Sequence, residues 1–199
     1  MWGKNTNGQL GLSNTSNKPM PLSVSEFNGT TLAKKVSNVY YNIGSQYRIT
    51  IVTAQDDETY YAGINFGATT NTPVFTQIPA LSGKVVTHVA CVGGNGSTNT
   101  ITALFLTSAN ELYIAGYGGR GQLGNGGEGA SNVMTTVQQF DRIGANIKIV
   151  DIHGFGHDEN SGFCLLEENG RLFYMGAGTN MKSSDDDSFD KLTLQEIVF

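Results

Sequence analysis

Short apolar runs separated by turn-forming residues dominate the chain, and many of them come in pairs. The first runs of three such pairs span 48–53, 102–107 and 162–166. The second runs, which are rich in aromatic residues, span 59–62, 111–115 and 171–175. Two extended runs joined by a few turn residues predict a β-hairpin. Because no apolar stripe with helical spacing is sustained anywhere, we predict no helix.

Each predicted hairpin is flanked by two further extended segments. Segments at 35–41, 84–92 and 147–153 precede the three hairpins. Segments at 21–24, 73–76, 133–137 and 192–198 form the second set, and two of them begin with Pro21 and Pro73. Proline lacks a backbone N–H, so it is tolerated best on an edge strand. The pattern therefore predicts units of four strands whose last strand lies at an edge.

The motif G-x-x-x-x-G-Q-L-G occurs twice in the chain, with its two copies 113 residues apart. The copies comprise Gly3, Gly8, Gln9, Leu10 and Gly11, and then Gly116, Gly121, Gln122, Leu123 and Gly124. A small or aromatic residue followed by glycine also recurs at Trp2, Ala62, Ala115 and Met175, at intervals of 60, 53 and 60 residues. Repeated four-stranded units are typical of β-propeller blades.

The repeats set the predicted organisation of the chain. We predict an all-β fold of propeller blades, each with four antiparallel strands, in one repeat domain over 1–199. Its repeats span 2–62, 63–115 and 116–175, with a partial fourth repeat at 176–199. We interpret the glycine motif as a tight inter-blade loop that Gln and Leu hold by hydrogen bonding and packing.

The G-Q-L-G loop, the P-x-x-V segment and the Leu-Tyr-x-Ala-Gly strand resemble the repeat of the regulator of chromosome condensation family. The resemblance implies a seven-bladed propeller that binds proteins, with members that act as small-GTPase exchange factors, inhibitors or scaffolds. The repeats that follow Gly63 and Gly176 depart from the pattern, because they lack the G-Q-L-G tail. Three and a fraction repeats are fewer than the roughly four to eight blades of a closed propeller. The chain is therefore expected to be a fragment of a larger propeller, half of a two-copy ring, or an open array capped by partners.

Composition narrows the expected partners. The net charge is −5 and no basic face is apparent, which argues against nucleic-acid binding. No apolar run reaches the length of a membrane span. Only 15% of the residues are charged, and this low charge with abundant Gly, Asn and Thr resembles viral tail-fibre and bacterial surface proteins. We therefore expect an adhesive or structural module on a virion or extracellular surface rather than in the cytoplasm; the alternative is an intracellular small-GTPase exchange factor or scaffold.

The expected partners follow from the repeat pattern and from the composition. They are a protein or cell-surface partner, and further propeller blades in cis or a second copy in trans. Two cysteines, Cys91 and Cys164, are expected to be buried free thiols, since two thiols make no disulfide framework.

Several sequence motifs resemble ligand-binding or catalytic patterns without completing them. Gln9 and Leu10 stand where a phosphate-binding P-loop needs Lys and Ser or Thr, and no helix start follows Gly121, so no cofactor is predicted. No nucleophile elbow or paired carboxylates stand out, so we predict no catalytic residues and no enzyme.

One local cluster, formed by His153, His157, Asp158 and Glu159, contains ligand types that could hold a metal. The intervening glycines disfavour the helix that would align the two imidazoles, so we predict no metal site and interpret the cluster as a polar candidate binding loop. Other candidate binding loops are the longest ones, at 93–100, 124–132, 154–162 and 179–190.

Overall fold

The computed structural model describes residues 1–27, 32–39, 48–66, 70–93, 101–137, 147–157, 159–178 and 190–197. These residues form twelve strands and two single 3-10 turns, Ser25–Phe27 and Pro79–Leu81. The first four strands are β1 (Ala33–Val39), β2 (Ile49–Ala54), β3 (Thr59–Ile64) and β4 (Asn71–Gln77). The next four are β5 (Val86–Val92), β6 (Thr102–Thr107), β7 (Leu112–Gly116) and β8 (Ser131–Thr136). The last four are β9 (Ile149–His157), β10 (Asn160–Glu167), β11 (Leu172–Gly176) and β12 (Lys191–Ile197).

Each group of four consecutive strands forms one antiparallel sheet in which the spatial order follows the chain. We name these sheets blade 1 (β1–β4), blade 2 (β5–β8) and blade 3 (β9–β12). The predicted all-β fold with four antiparallel strands per unit is thus confirmed. Pro73 lies in β4, at the edge of blade 1, where its missing N–H breaks no ladder on the solvent side.

The blades stack face to face through two apolar clusters. Ala103 and Phe105 of β6 face a cluster that includes Ile51 of blade 1. The alternate β6 residues, Leu104 and Leu106, belong to the cluster shared with blade 3. Successive side chains of a strand point to opposite faces, so β6 serves both interfaces, and all six of its residues are buried. The near-continuous apolar run at 102–107 is the sequence signature of this two-sided burial.

The first strands of the blades meet along one side of the array, β1 beside β5 and β5 beside β9. This order places the fourth strands, β4, β8 and β12, at the opposite edge. The arrangement is that of neighbouring propeller blades, with the first strand innermost.

Residues 1–22 form the outer half of a further blade beside blade 1. Gly3 and Lys18 exchange backbone hydrogen bonds of 2.7 and 2.9 Å, and Met1 and Leu22 also pair through their backbones. The equivalent pairs in the three blades are Gly63 with Thr72, Gly116 with Ser131, and Gly176 with Lys191. Residues 1–3 and 18–22 therefore occupy the positions of a third and a fourth strand.

Two predicted elements differ from the structure. Residues 21–24 belong to no strand, because Leu22 alone in this segment pairs with the strand-like residues 1–3, through Met1, and too few ladder bonds form. The polar loop predicted at 154–162 is instead a hairpin, since β9 runs to His157 and β10 begins at Asn160. The backbone ladder between β9 and β10 extends to the pair His157 and Asn160, so the glycines of this segment are accommodated in extended chain.

Both cysteines are free thiols. Burial raises the pKa of the Cys91 thiol to about 12 and also raises that of Cys164. Neither side chain is therefore a thiolate near neutral pH, which is the behaviour of structural rather than reactive cysteine.

Candidate binding surface

The links between strands fall on two faces of the array. The loop face carries the links from first to second and from third to fourth strand, and the turn face carries all the others. Gln122 in the β7–β8 link contacts Glu159 in the β9–β10 link, so these links share a face. The side chain of Asn110 in the β6–β7 turn donates to Ile147 O and accepts from Ile149 N–H at the start of β9. This turn and the start of β9 therefore lie on the same face, the turn face.

Two of the four candidate binding loops belong to described links of the loop face. Residues 124–132 lie in the β7–β8 link, and 154–162 surround the β9–β10 turn. The other two candidate loops fall mainly on 94–100 and 179–189, which lie outside the described residues. On the turn face, by contrast, second and third strands are joined by short turns such as 55–58 and 108–111.

The two G-x-x-x-x-G-Q-L-G loops have the same backbone conformation. Each consists of two successive turns, closed by N–H to C=O bonds between residues three apart. The bonds are Gly8 to Asn5 and Gly11 to Gly8 in the first copy, and Gly121 to Gly118 and Gly124 to Gly121 in the second. The φ angles of the second and third motif glycines are 77° and 64° in the first copy and 78° and 60° in the second. Such positive φ values favour glycine.

Close packing adds a second reason for glycine in both loops. A Cβ atom on Gly8 would lie 2.5 Å from Pro73 Cα, and one on Gly11 would lie 2.2 Å from the Phe75 ring. In the second copy, a Cβ on Gly124 would lie 2.5 Å from Met175 Sδ. Each loop thus presses against the following blade, the first against β4 of blade 1 and the second against β11 of blade 3.

The motif glutamines make one shared contact and one that differs. Oε1 accepts the backbone N–H two residues earlier in both copies, from Asn7 to Gln9 and from Arg120 to Gln122. Nε2 of Gln9 donates to Lys4 O within the same loop, at 2.6 Å. Nε2 of Gln122 instead donates to Glu159 O of blade 3, at 2.7 Å.

The motif leucines are buried, and the degenerate second repeat has a buried aromatic residue in the corresponding link. Leu123 belongs to the cluster between blades 2 and 3, and Leu10 is buried beside blade 1. In the β3–β4 link, which lacks G-Q-L-G, Phe66 is buried and its ring lies 6.3 Å from that of Phe105. Sequence reasoning missed Phe66, although an apolar residue three positions after Gly63 was a usable signal.

The connectivity corrects one aspect of the predicted inter-blade loop. The second motif copy joins β7 to β8 inside blade 2 and does not join one blade to the next along the chain. Its side chains make the inter-blade contacts, through Leu123 and Gln122. Links between blades are made by 78–85 and by the chain between β8 and β9.

The His–Asp–Glu cluster does not converge in the described residues. His153 lies in β9, is largely exposed, and has Nε2 3.6 Å from Asp151 Oδ2. Glu159 lies at the hairpin turn and faces Arg120, whose Nη2 is 3.6 Å from Glu159 Oε1. His157 is described only in its backbone, and Asp158 lies outside the described residues. Among the side chains described, no group of three or more His, Cys, Asp or Glu is placed to bind a metal ion.

Two glutamate side chains on the turn face accept hydrogen bonds that connect turns to neighbouring segments. Glu58 accepts hydrogen bonds from Gln77, Ser82 and the backbone of Gly83. Burial acts to raise the pKa of Glu58, but these hydrogen bonds outweigh it and leave the pKa below its usual value. Glu167 accepts from Arg171 and Asn169, which likewise lowers the pKa of its carboxyl group. Both side chains tie a turn to neighbouring chain and serve the fold.

Comparison with known proteins agrees with this architecture. The model of the regulator of chromosome condensation (RCC1) repeat matches residues 1–40. A solved structure of Kap60 bound to yeast RCC1 (Prp20) contains a similar fold, with a TM-score of 0.67 and 14% identity over the whole of this chain and 44% of that chain. The first 40 residues thus match the RCC1 repeat, and the whole chain has a fold similar to that of yeast RCC1.

Further relatives are longer proteins, of which this chain matches a part. Human E3 ubiquitin-protein ligase HERC2 is 24% identical over 186 residues, which are 91% of this chain and 4% of HERC2. Human probable E3 ubiquitin-protein ligase HERC3 is 29% identical over 129 residues, 63% of this chain and 11% of HERC3. The crystal structure of human WBSCR16 aligns with a TM-score of 0.50 and 14% identity, over 98% of this chain and 61% of that one. The RCC1-like chain thus spans a small part of these ligases. No helix in its described residues is long and apolar enough to cross a membrane.

Proposed function

We propose that this RCC1-like chain is a non-enzymatic protein-interaction module that binds its partner through the loop face. The observation that carries the proposal is the asymmetry between the two faces. The two longest links that the structure describes in full, 4–17 and 117–130, lie on the loop face, whereas second and third strands are joined by short turns on the other face. Loops held by a rigid scaffold are where binding residues concentrate.

The β7–β8 link supplies the best-described part of this surface. Asn125, Glu128 and Ala130 are exposed there, while Gln122 and Leu123 are buried beneath them. The motif therefore fixes the base of the loop and leaves its tip free for a partner. An RCC1 protein is bound to Kap60 in the solved structure to which this fold is similar. That complex supports a protein partner for this fold class and does not identify the partner of this chain.

Charge reversal on the two faces tests the proposal. The loop-face variant carries Glu128→Lys and Glu159→Lys, and the turn-face control carries Asp56→Lys and Glu168→Lys. All four positions are exposed, each double variant changes the charge by the same amount, and each loses one surface ion pair. In a quantitative pull-down from a cell extract, the loop-face variant alone should fail to recover the specific partner protein. Equal loss with both variants, or loss with the control only, would contradict a loop-face site.

The place of action remains a proposal based on composition. Low charge and abundant Gly, Asn and Thr support an adhesive module on a virion or other extracellular surface. The alternative, a small-GTPase exchange factor or scaffold, is tested by release of a fluorescent guanine nucleotide from a panel of small GTPases. Acceleration that the loop-face variant abolishes would establish the alternative and overturn the adhesive role.

A further inference from the structure

Three Asn-Gly pairs lie in the described part of the chain, and their surroundings differ. They are Asn7-Gly8 in the first motif loop, Asn125-Gly126 in the β7–β8 link and Asn169-Gly170 in the β10–β11 turn. An asparagine followed by glycine is open to deamidation, in which the glycine nitrogen attacks the amide carbon of the asparagine side chain. Glycine favours this attack because it has no Cβ atom to hinder the approach.

Backbone hydrogen bonds occupy the glycine nitrogen in two of the three pairs. Gly8 N–H donates to Asn5 O and Gly170 N–H donates to Glu167 O, both at 2.9 Å. Such a bond must break by local opening before the nitrogen can attack. Gly126 N–H, in contrast, donates to no acceptor in the residues that the structure describes. Its nitrogen can therefore react without any opening of the fold.

The asparagine side chains separate the pairs in the same way. Asn7 is only 8% exposed, and Nδ2 of the exposed Asn169 donates to Glu167 Oε1 at 2.9 Å. Asn125 is exposed, and its Oδ1 accepts the backbone N–H of Gly127 at 3.0 Å. This bond stabilises the negative charge that forms on Oδ1 during the attack, as a donor of an oxyanion hole does.

We propose that Asn125 is a site of spontaneous deamidation on the loop face. Gly126 N forms a bond to Asn125 Cγ, the Cγ–Nδ2 bond breaks, and the amide group leaves with the Gly126 proton as ammonia. The cyclic imide that results takes up one water molecule and opens at either carbonyl, which gives aspartate or isoaspartate. Either product adds a carboxylate to the link that already carries the exposed Glu128, and isoaspartate also lengthens the backbone there.

Incubation of the intact chain in mildly alkaline buffer, with and without urea, tests the proposal. After proteolysis, mass spectrometry gives the deamidated fraction at Asn7, Asn125 and Asn169. The urea sample supplies the rate of each site without the fold. Relative to these rates, Asn125 in the folded chain should react at least about tenfold faster than either other site, since hydrogen bonds restrain those two. Equal protection of Asn125 and Asn169 would overturn the proposal.

The products test the chemical step. The peptide that contains Asn125 should hold both aspartate and isoaspartate, because the imide can open at either of its two carbonyls. Aspartate alone would show that water attacks the side chain directly, and would overturn the attack by Gly126.

Gly126→Ala and Gly170→Ala form a matched pair of variants. The φ angles are 84° and 91°, so both variants carry similar backbone strain. An added Cβ atom would lie 4.0 Å from Thr193 Cγ2 at Gly126 and would meet nothing within 4 Å at Gly170. Gly126→Ala should slow deamidation of Asn125 several-fold, because a methyl group hinders the attacking nitrogen. Gly170→Ala should leave the rate at Asn125 unchanged. An unchanged rate in folded Gly126→Ala would contradict the proposal.

Discussion

The two G-x-x-x-x-G-Q-L-G loops are nearly identical in backbone and very different in surroundings. Both close the same two turns with φ angles that agree within a few degrees. The second copy lies within a complete blade and its Gln122 reaches blade 3, whereas the first lies within a half-blade and its Gln9 bonds within its own loop. The turns are therefore encoded locally by glycine positions. What each loop contributes to stability depends on the strands around it.

The largest expected difference between the copies is at their first glycines. Gly116→Ala would force a methyl group onto the backbone at Ile101 and Thr102, whereas Gly3→Ala meets open space. Both positions have positive φ, so both variants carry a conformational cost of about 1 kcal/mol or more. With the added clash, we expect Gly116→Ala to lower the free energy of unfolding by about 3 kcal/mol. Urea denaturation of both variants measures the difference, and equal losses would show that the edge beside Gly3 is not open.

The motif leucines should differ next. Leu123 is enclosed between blades 2 and 3, whereas Leu10 borders the cleft beside Trp2. We expect Leu123→Ala to cost about 3 kcal/mol, in the usual range for a buried Leu that leaves a cavity. Leu10→Ala should cost about half as much or less, because the space it leaves opens into the cleft and encloses no new cavity. A larger loss at Leu10 than at Leu123 would contradict this view of the cleft.

Much of the fold followed from sequence because its signals are local. Paired apolar runs, the edge position of Pro73 and the spacing of motif glycines specify hairpins and turns without reference to distant residues. The packing partners were not predictable in the same way. Whether Gln122 bonds its own loop or Glu159 depends on how blade 3 sits against blade 2, which no local pattern encodes.

The candidate site shows the limits of sequence more sharply. The His–Asp–Glu cluster was predicted as a loop, but backbone pairing between β9 and β10 extended the chain through its glycines and left His153 pointing away from a shared site. Phe66 was missed because its repeat lacks the motif that would have marked it. The recurrence of a residue followed by glycine already placed Trp2 and Gly3 in the repeat, but the pairing of Gly3 with Lys18 could not be predicted from it.

Substitution of the two motif glutamines compares the hydrogen bonds of the two copies separately from their apolar packing. Methionine has a similar size and cannot replace either bond, so Gln122→Met would leave Arg120 N–H and Glu159 O without these partners in a partly buried setting between two blades. We expect a loss of about 2 kcal/mol, typical of unsatisfied buried polar groups. Gln9→Met should cost about 1 kcal/mol, since Lys4 is exposed and water can bond its carbonyl. Thermal and urea unfolding of the matched pair give both values, and a reversed order would contradict the inter-blade role of Gln122.

The smallest expected effect concerns a charged side chain that the second motif copy has and the first copy lacks. Arg120 lies 3.6 Å from Glu159 and 3.5 Å from Asp190, and the corresponding residue of the first copy is the uncharged Asn7. Arg120→Gln should cost about 0.5 kcal/mol at low salt, because partly exposed ion pairs contribute little. That cost should vanish near 1 M NaCl, where the screening length falls to about 3 Å.

Asn7→Ala is the matched control for Arg120, since its Nδ2 donates to Asn71 without any charge. Its effect on the free energy of unfolding should be the same at low and high salt. If the cost of Arg120→Gln also persisted at high salt, the side chain would act through packing of its stem against the loop. The second copy would then be joined to blade 3 by contact and hydrogen bonding alone, and the charged residues of the loop face would be left for a partner.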